Sequence, residues 1–119
     1  MDKMKNSNDS TVYPDFIRDL PEADIPVKGI RGWLLGDGRR QALFMDIMPE
    51  AIVPPHSHCA QWGIMVKGEM DLTIKGVAKR IRPGDNYFIP EGAEHSAKFH
   101  SHVTVIDIFD APDRYKAKK

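Results

Sequence analysis

Apolar residues in this chain fall in short runs with a period near two, not in stripes with a helical period. Residues 30–36 (IRGWLLG), 42–48 (ALFMDIM), 63–67 (GIMVK), 70–75 (MDLTIK), 86–90 (NYFIP), 94–99 (EHSAKF) and 103–109 (VTVIDIF) are rich in β-branched and aromatic side chains, which pack well on a pleated surface. Turn residues punctuate them at Gly36-Asp37-Gly38, Pro49-Glu50, Lys67-Gly68, Lys75-Gly76 and Pro83-Gly84. Short strands at this spacing predict an all-β sandwich or barrel. The turn Arg82-Pro83-Gly84-Asp85 reads as type II: proline presets φ at its second position and glycine supplies positive φ at the third. The best helical candidate is 14–20 (PDFIRDL), whose Phe16, Ile17 and Leu20 share one turn and which Pro21 and Pro26 stop. Such a segment is expected to cover a barrel mouth or pack on a neighbouring subunit.

Length and charge narrow this picture. A chain of 119 residues fits one domain with one core. Its 17 basic and 17 acidic residues cancel, so it lacks the basic footprint of a nucleic-acid binder, and no nucleic-acid partner is expected. Residues 1–12 are polar and predict a disordered tail, and 113–119, ending RYKAKK, predict a solvated basic tail. That leaves 13–112 as the domain. With Cys59 as the one cysteine, no intrachain disulfide forms. The N-terminus lacks the apolar run of a signal peptide, and no stretch approaches the roughly 18–20 apolar residues of a membrane helix. The expectation is a cytoplasmic protein with no membrane contact.

The chemistry concentrates in Pro54-Pro55-His56-Ser57-His58-Cys59-Ala60-Gln61. On a strand, residues two apart share a face, so His56 and His58 project together and can converge on one ion. Ser57 and Cys59 then point away. A short turn before Gln61 brings its amide back into the same space, and His95, in a distant strand, closes the site from the opposite wall. Pro54 and Pro55 stiffen the approach.

The whole pattern, His56-x-His58-x2-Gln61-x6-Gly68 followed by Gly84-x5-Pro90-x-Gly92-x2-His95, resembles the two signature motifs of the cupin superfamily. The resemblance implies a single-domain jelly-roll barrel, also described as a double-stranded β-helix. It also implies one divalent metal ion per chain, held by His56, His58, Gln61 and His95. Three positions depart from the family pattern. Gln61 stands where the usual ligand is glutamate, with one residue fewer after His58; Phe99 replaces the closing asparagine; Ala51 replaces the leading glycine. A glutamine ligand brings no charge, so the ion keeps its full +2 and becomes a stronger Lewis acid that favours anionic ligands. Three nitrogens and an oxygen suit Mn, Fe, Co, Ni, Cu or Zn.

Other residues are read more plainly. His100 and His102 repeat the His-x-His spelling but fall where the strand of His95 turns; if His95 faces inward, so do Ala97 and Phe99. Met65 and Phe44 read as core. Asp46, Tyr87 and Trp33 are candidates for the pocket, and Asp107, alone in an apolar strand, is ambiguous. Trp62, Ile64 and Val66 form the face opposite Gln61. The family resemblance implies a metal-dependent enzyme of dioxygenase or isomerase type, acting on a small carboxylate, enediol or sugar derivative. The alternative is a non-catalytic module that binds or senses a small molecule. Small cupins pair through their sheets, and 24–31 (DIPVKGIR) suits strand exchange, so a homodimer is expected.

Overall fold

The computed structural model describes residues 11–119; residues 1–10 of the expected N-terminal tail lie outside the described residues. Among the described residues nine strands follow one short helix, α1 (Asp15–Arg18): β1 (Ile30–Gly36), β2 (Gln41–Ile47), β3 (Val53–His56), β4 (Gln61–Lys67), β5 (Met70–Ile74), β6 (Val77–Ile81), β7 (Asn86–Ile89), β8 (His95–Phe99) and β9 (Val103–Phe109). They form two antiparallel sheets, ordered β1-β2-β9-β4-β7 and β3-β8-β5-β6, a jelly-roll barrel as expected. Among the described residues no helix is long and apolar enough to cross a membrane.

The alternation along each strand sorts residues between the interior and the outer face. In the β2–β9 pair, Leu43 lies opposite Asp107, Met45 opposite Val105 and Ile47 opposite Val103, and all six side chains are buried. Met65 joins them in the core. On β4 the pattern reads buried at Gln61, Gly63 and Met65, while Trp62 and Val66 are exposed on the opposite face. The predicted turn before β7 forms: Gly84 has φ 92° and the Asp85 N–H donates to the Arg82 carbonyl at 2.9 Å.

Two strands lie outside the predicted set. β3 carries Pro54 and Pro55, and proline lacks the N–H that a ladder uses; β3 tolerates them as an edge strand of the smaller sheet. β6 (VAKRI) is exposed at four of its five residues, so it has no apolar face for a pattern to reveal.

Phe44 is not in the barrel core. It lies on the outer face of β2, where the Tyr13 ring meets both Phe44 (5.7 Å between centroids) and Trp33 (5.9 Å) edge-on. The Tyr13 hydroxyl donates to the Val105 carbonyl at 2.7 Å. The N-terminal segment thus covers Trp33 and Phe44 on the outer face of β1 and β2.

The C-terminal residues do not run free. Ala117 bridges to Ala23, the Asp24 N–H donates to the Lys116 carbonyl at 2.7 Å, and the Lys118 N–H donates to the Glu22 carbonyl at 2.8 Å. Gln41 acts as a surrogate strand: its amide donates to the Tyr115 carbonyl and accepts the Tyr115 N–H, at 2.8 and 3.0 Å. Lys116, Lys118 and Lys119 stay exposed, whereas Tyr115 packs on the core.

Candidate metal centre

His95 does not face His56 from an opposite wall as expected; strand register within one sheet brings these two candidate ligands together. β3 and β8 pair with His56 directly opposite His95, and their rings stand 4.2 Å apart between centroids. His58 does not share this strand. It lies two residues past the end of β3, in the loop leading to β4. A backbone bond holds that loop instead: the Gly92 N–H donates to the His58 carbonyl at 2.9 Å. Gly92 reaches this position with φ 76°, a conformation glycine adopts without steric cost. The glycine of the second motif therefore fixes the loop of the first.

Each imidazole is locked in one tautomer. Nδ1 of His56, His58 and His95 lies 2.9, 2.8 and 2.9 Å from the carbonyls of Pro54, Cys59 and Ala93. A carbonyl only accepts, so each Nδ1 carries the proton and each Nε2 presents a lone pair. The ligand atoms of the three residues lie within 4.8 Å of one another, and Nε2 of His58 sits 3.1 Å from Nε2 of His95. Two lone pairs at that distance repel unless a cation stands between them. Burial, with the Arg114 charge adding to it, pushes His58 down to about 4, and burial lowers His95 as well, so at neutral pH a proton does not fill that role. Three histidines so arranged can hold a metal ion.

Gln61 opens β4, in the other sheet, and its side chain is buried. Its amide bonds to Asp107, while Oε1 is buried with no hydrogen-bond partner. An orphaned buried carbonyl oxygen carries a desolvation cost, which a cation would relieve. Three neutral imidazole nitrogens and this oxygen suit a divalent metal.

A cavity of about 90 Å³ runs from these residues into the barrel. Its polar lining is His56, Gln61, Tyr87, His95, Asp107 and Tyr115; Met45, Leu72 and other apolar side chains make the rest. Tyr87 donates its hydroxyl to Asp107 Oδ1 at 2.7 Å. Burial pushes Asp107 up to about 6, against the pull of its bonds to Tyr87 and Gln61; burial likewise raises Tyr87. The pair meets across Gly63, which lies opposite Tyr87 on β7 and opposite Asp107 on β9. A Cβ at Gly63 would collide with Asp107 Oδ1 and with the Tyr87 ring and hydroxyl. Gly63→Ala is therefore expected to lower stability by about 1–3 kcal/mol, read by chemical denaturation; an unchanged midpoint would show that the pair yields freely.

Of the pocket candidates read from sequence, Tyr87 lines the cavity, but Asp46 and Trp33 do not. They face the outside of the five-stranded sheet, where Asp46 Oδ1 accepts from Thr104 at 2.7 Å and pairs with His102 at 3.2 Å. His100 pairs with Asp71 at 2.8 Å. Both histidines of the second His-x-His lie in the turn after β8, away from the cluster, while Ala97 and Phe99 face the cavity with His95. Cys59 is partly buried against the core, and burial raises its thiol, the opposite of a reactive thiolate.

Arg114 escaped sequence reading. Its guanidinium stacks over Tyr115 (4.3 Å to the ring centroid) and Phe109 (5.8 Å), and its Nε is buried without a hydrogen-bond partner.

The comparisons with known proteins agree with this architecture. The cupin domain model matches residues 43–109. Among solved structures, an RmlC-like cupin from Shewanella frigidimarina is 26% identical, with a TM-score of 0.70 over 79% of this chain and 86% of that one. KdgF from Halomonas sp. is also 26% identical, with a TM-score of 0.68 over 77% of this chain and 86% of that one. Oxalate decarboxylase from Bacillus subtilis, at 23% identity, aligns 81% of this chain with 28% of its own and has a TM-score of 0.69; the likeness there is one of fold. No curated protein sequence matches the chain. With the motif spacing, the two-sheet barrel and a match across residues 43–109 in agreement, the chain belongs to the cupin domain family.

Proposed function

We propose that this cupin is a metal-dependent enzyme acting on a small oxygenated molecule, of the carboxylate, enediol or sugar-derivative class. In this reading His56, His58, Gln61 and His95 hold one divalent ion. The observation that carries it is the buried, unpartnered Gln61 Oε1, in the cavity wall it shares with two of three histidines whose tautomers are already set. When bound, the ion supplies a Lewis acid that polarises a substrate oxygen. The chain's own residues do the rest. Arg114 contributes a fixed positive charge and a spare N–H donor near His58; with a neutral ligand set, this favours an anionic substrate. Asp107 and Tyr87 offer a hydrogen-bonded pair that takes up or releases a proton near neutral pH, the poise a general acid or base needs. The apolar walls exclude water, and the cavity's size keeps the reacting portion small. Homodimer formation through the outer sheet face, where Trp62 and Phe88 are exposed, belongs to the same proposal.

The test is metal analysis of protein purified without affinity-tag metal, followed by a screen of small carboxylates, enediols and sugar acids with loaded and stripped protein. About one ion per chain and metal-dependent turnover are expected. Manganese is a rational first ion to add, since the oxalate decarboxylase that shares the fold carries Mn(II) centres. A protein that stays metal-free in added divalent ions overturns the reading. A loaded protein that binds a ligand without turnover is instead the sensing module.

A further inference from the structure

We propose that Asp107 is a positioning residue for the metal site: it decides which end of the Gln61 amide faces the ion, and it thereby requires glutamine, not glutamate, at position 61. The inference rests on the metal-site reading above and adds to it the reason for the uncharged ligand.

An amide has two ends of nearly equal size and opposite chemistry. The oxygen offers lone pairs to an ion; the NH2 offers only donors and cannot ligate. A glutamine ligand is therefore useful only if something selects its orientation. The strand register supplies the selector. Gln61 and Gly63 face inward on β4, and on β9 their partners are Phe109 and Asp107. Asp107 thus sits diagonally across from Gln61, within reach of a long side chain, and the missing Cβ of Gly63 leaves the path between them open. Tyr87 occupies Asp107 Oδ1 with its hydroxyl at 2.7 Å. The carboxylate thus acts as an acceptor, and Gln61 bonds to the same group; the amide end that meets an acceptor is the NH2. The other end, Oε1, is then turned from Asp107 and is the one buried side-chain oxygen without a partner among the described residues.

The same contact excludes a carboxylate ligand. Glutamate at position 61 would set one carboxylate against another, two acceptors with no N–H between them to bridge the contact.

The experiment is a two-by-two cycle of Q61E and D107N, with cobalt(II) affinity measured by chelator competition and the cobalt absorption bands read for a change in ligation. With Gln61 in place, the amide introduced by D107N presents either of its ends to the glutamine, and affinity is expected to fall about 10–100-fold. In the Q61E background the sign reverses: the same amide donates to the new carboxylate, and D107N raises affinity. A residue with a merely structural role lowers affinity in both backgrounds, and that result, or no change in either, overturns the proposal. Thermal melts confirm that each variant is folded. If the D107N variants do not fold, Q61E alone decides: it is expected to bind cobalt no more tightly than the wild type, and a tenfold gain sinks the idea. A wild-type protein that binds no ion at all is a failure of the metal-site reading, not of this one.

Discussion

Replacing His95 with alanine is expected to abolish the response of the protein to divalent metal. A ligand at a hundredfold excess over its dissociation constant stabilises the folded state by about 2.7 kcal/mol, which for a domain of this size is roughly 10 °C in melting temperature. The wild type should show a shift of that order with its preferred ion, and H95A none. His95 is the ligand to remove first because it is buried and stands against both other imidazoles, opposite His56 in register and 3.1 Å from His58 between Nε2 atoms. The change also separates two meanings of the cluster. If the histidines serve the core, H95A lowers the melting temperature in the absence of metal and leaves the metal response intact. If they serve an ion, the metal response is lost, while removing one of two opposed lone pairs offsets part of the packing loss. A differential scanning melt with and without metal distinguishes the two, and a retained shift in H95A would falsify the ligand assignment.

The second large effect is a gain in stability. Asp107 is fully buried and its carboxyl is raised from its ordinary value of 3.8 to about 6. A raised carboxyl favours the folded state only while it is protonated. Its contribution is complete below about pH 4, the unfolded value, and is lost as pH climbs through 6. A difference of about two pKa units corresponds to about 3 kcal/mol. In the metal-free protein, Asp107→Asn avoids burying that charge, so it should be more stable than the wild type by up to about 3 kcal/mol at pH 7–8, with the difference vanishing near pH 4. Denaturant midpoints across that range test the sign. The same variant is expected to lose turnover, because the cavity then lacks its carboxyl. A D107N protein less stable than the wild type at neutral pH would mean that its bonds to Tyr87 and Gln61 outweigh the cost of the buried charge.

How far the sequence disclosed this molecule depends on whether information lay along the chain or across it. Alternation gave the strands whose two faces differ, such as Gln61–Lys67 and Val103–Phe109. It failed where faces differ little: β6 is exposed almost throughout, and β2 carries Phe44 on its outer face under the cover of Tyr13. Leu43 and Phe44 cannot be sorted without knowing of that cover. The histidines were legible because their motif spacing is conspicuous, although His58 comes to the cluster through a loop tied by Gly92 rather than along a strand. Asp107 was visible as an acid out of place, but its meaning comes from Gly63, whose register puts Tyr87 and Asp107 on either side of a missing side chain. Arg114 had no signal at all. In sequence it opens a basic run of the kind that is usually solvated; only the Gln41 clamp on Tyr115 and the strand-like pairing of the last residues draw it inward.

That pairing makes the site divisible. The histidines and Gln61 hang on the barrel itself, whereas Arg114 is carried by a strap held at Tyr115 by Gln41 and at its far end by residues 22–24 against residues 116–118. Loss of both fastenings would free the cationic side chain while the candidate metal ligands keep their places on the barrel. Under the proposed function, such a preparation would still take up metal while binding an anionic substrate less tightly. An inactive preparation is thus poor evidence against catalysis until Arg114 is known to be seated on Phe109 and Tyr115.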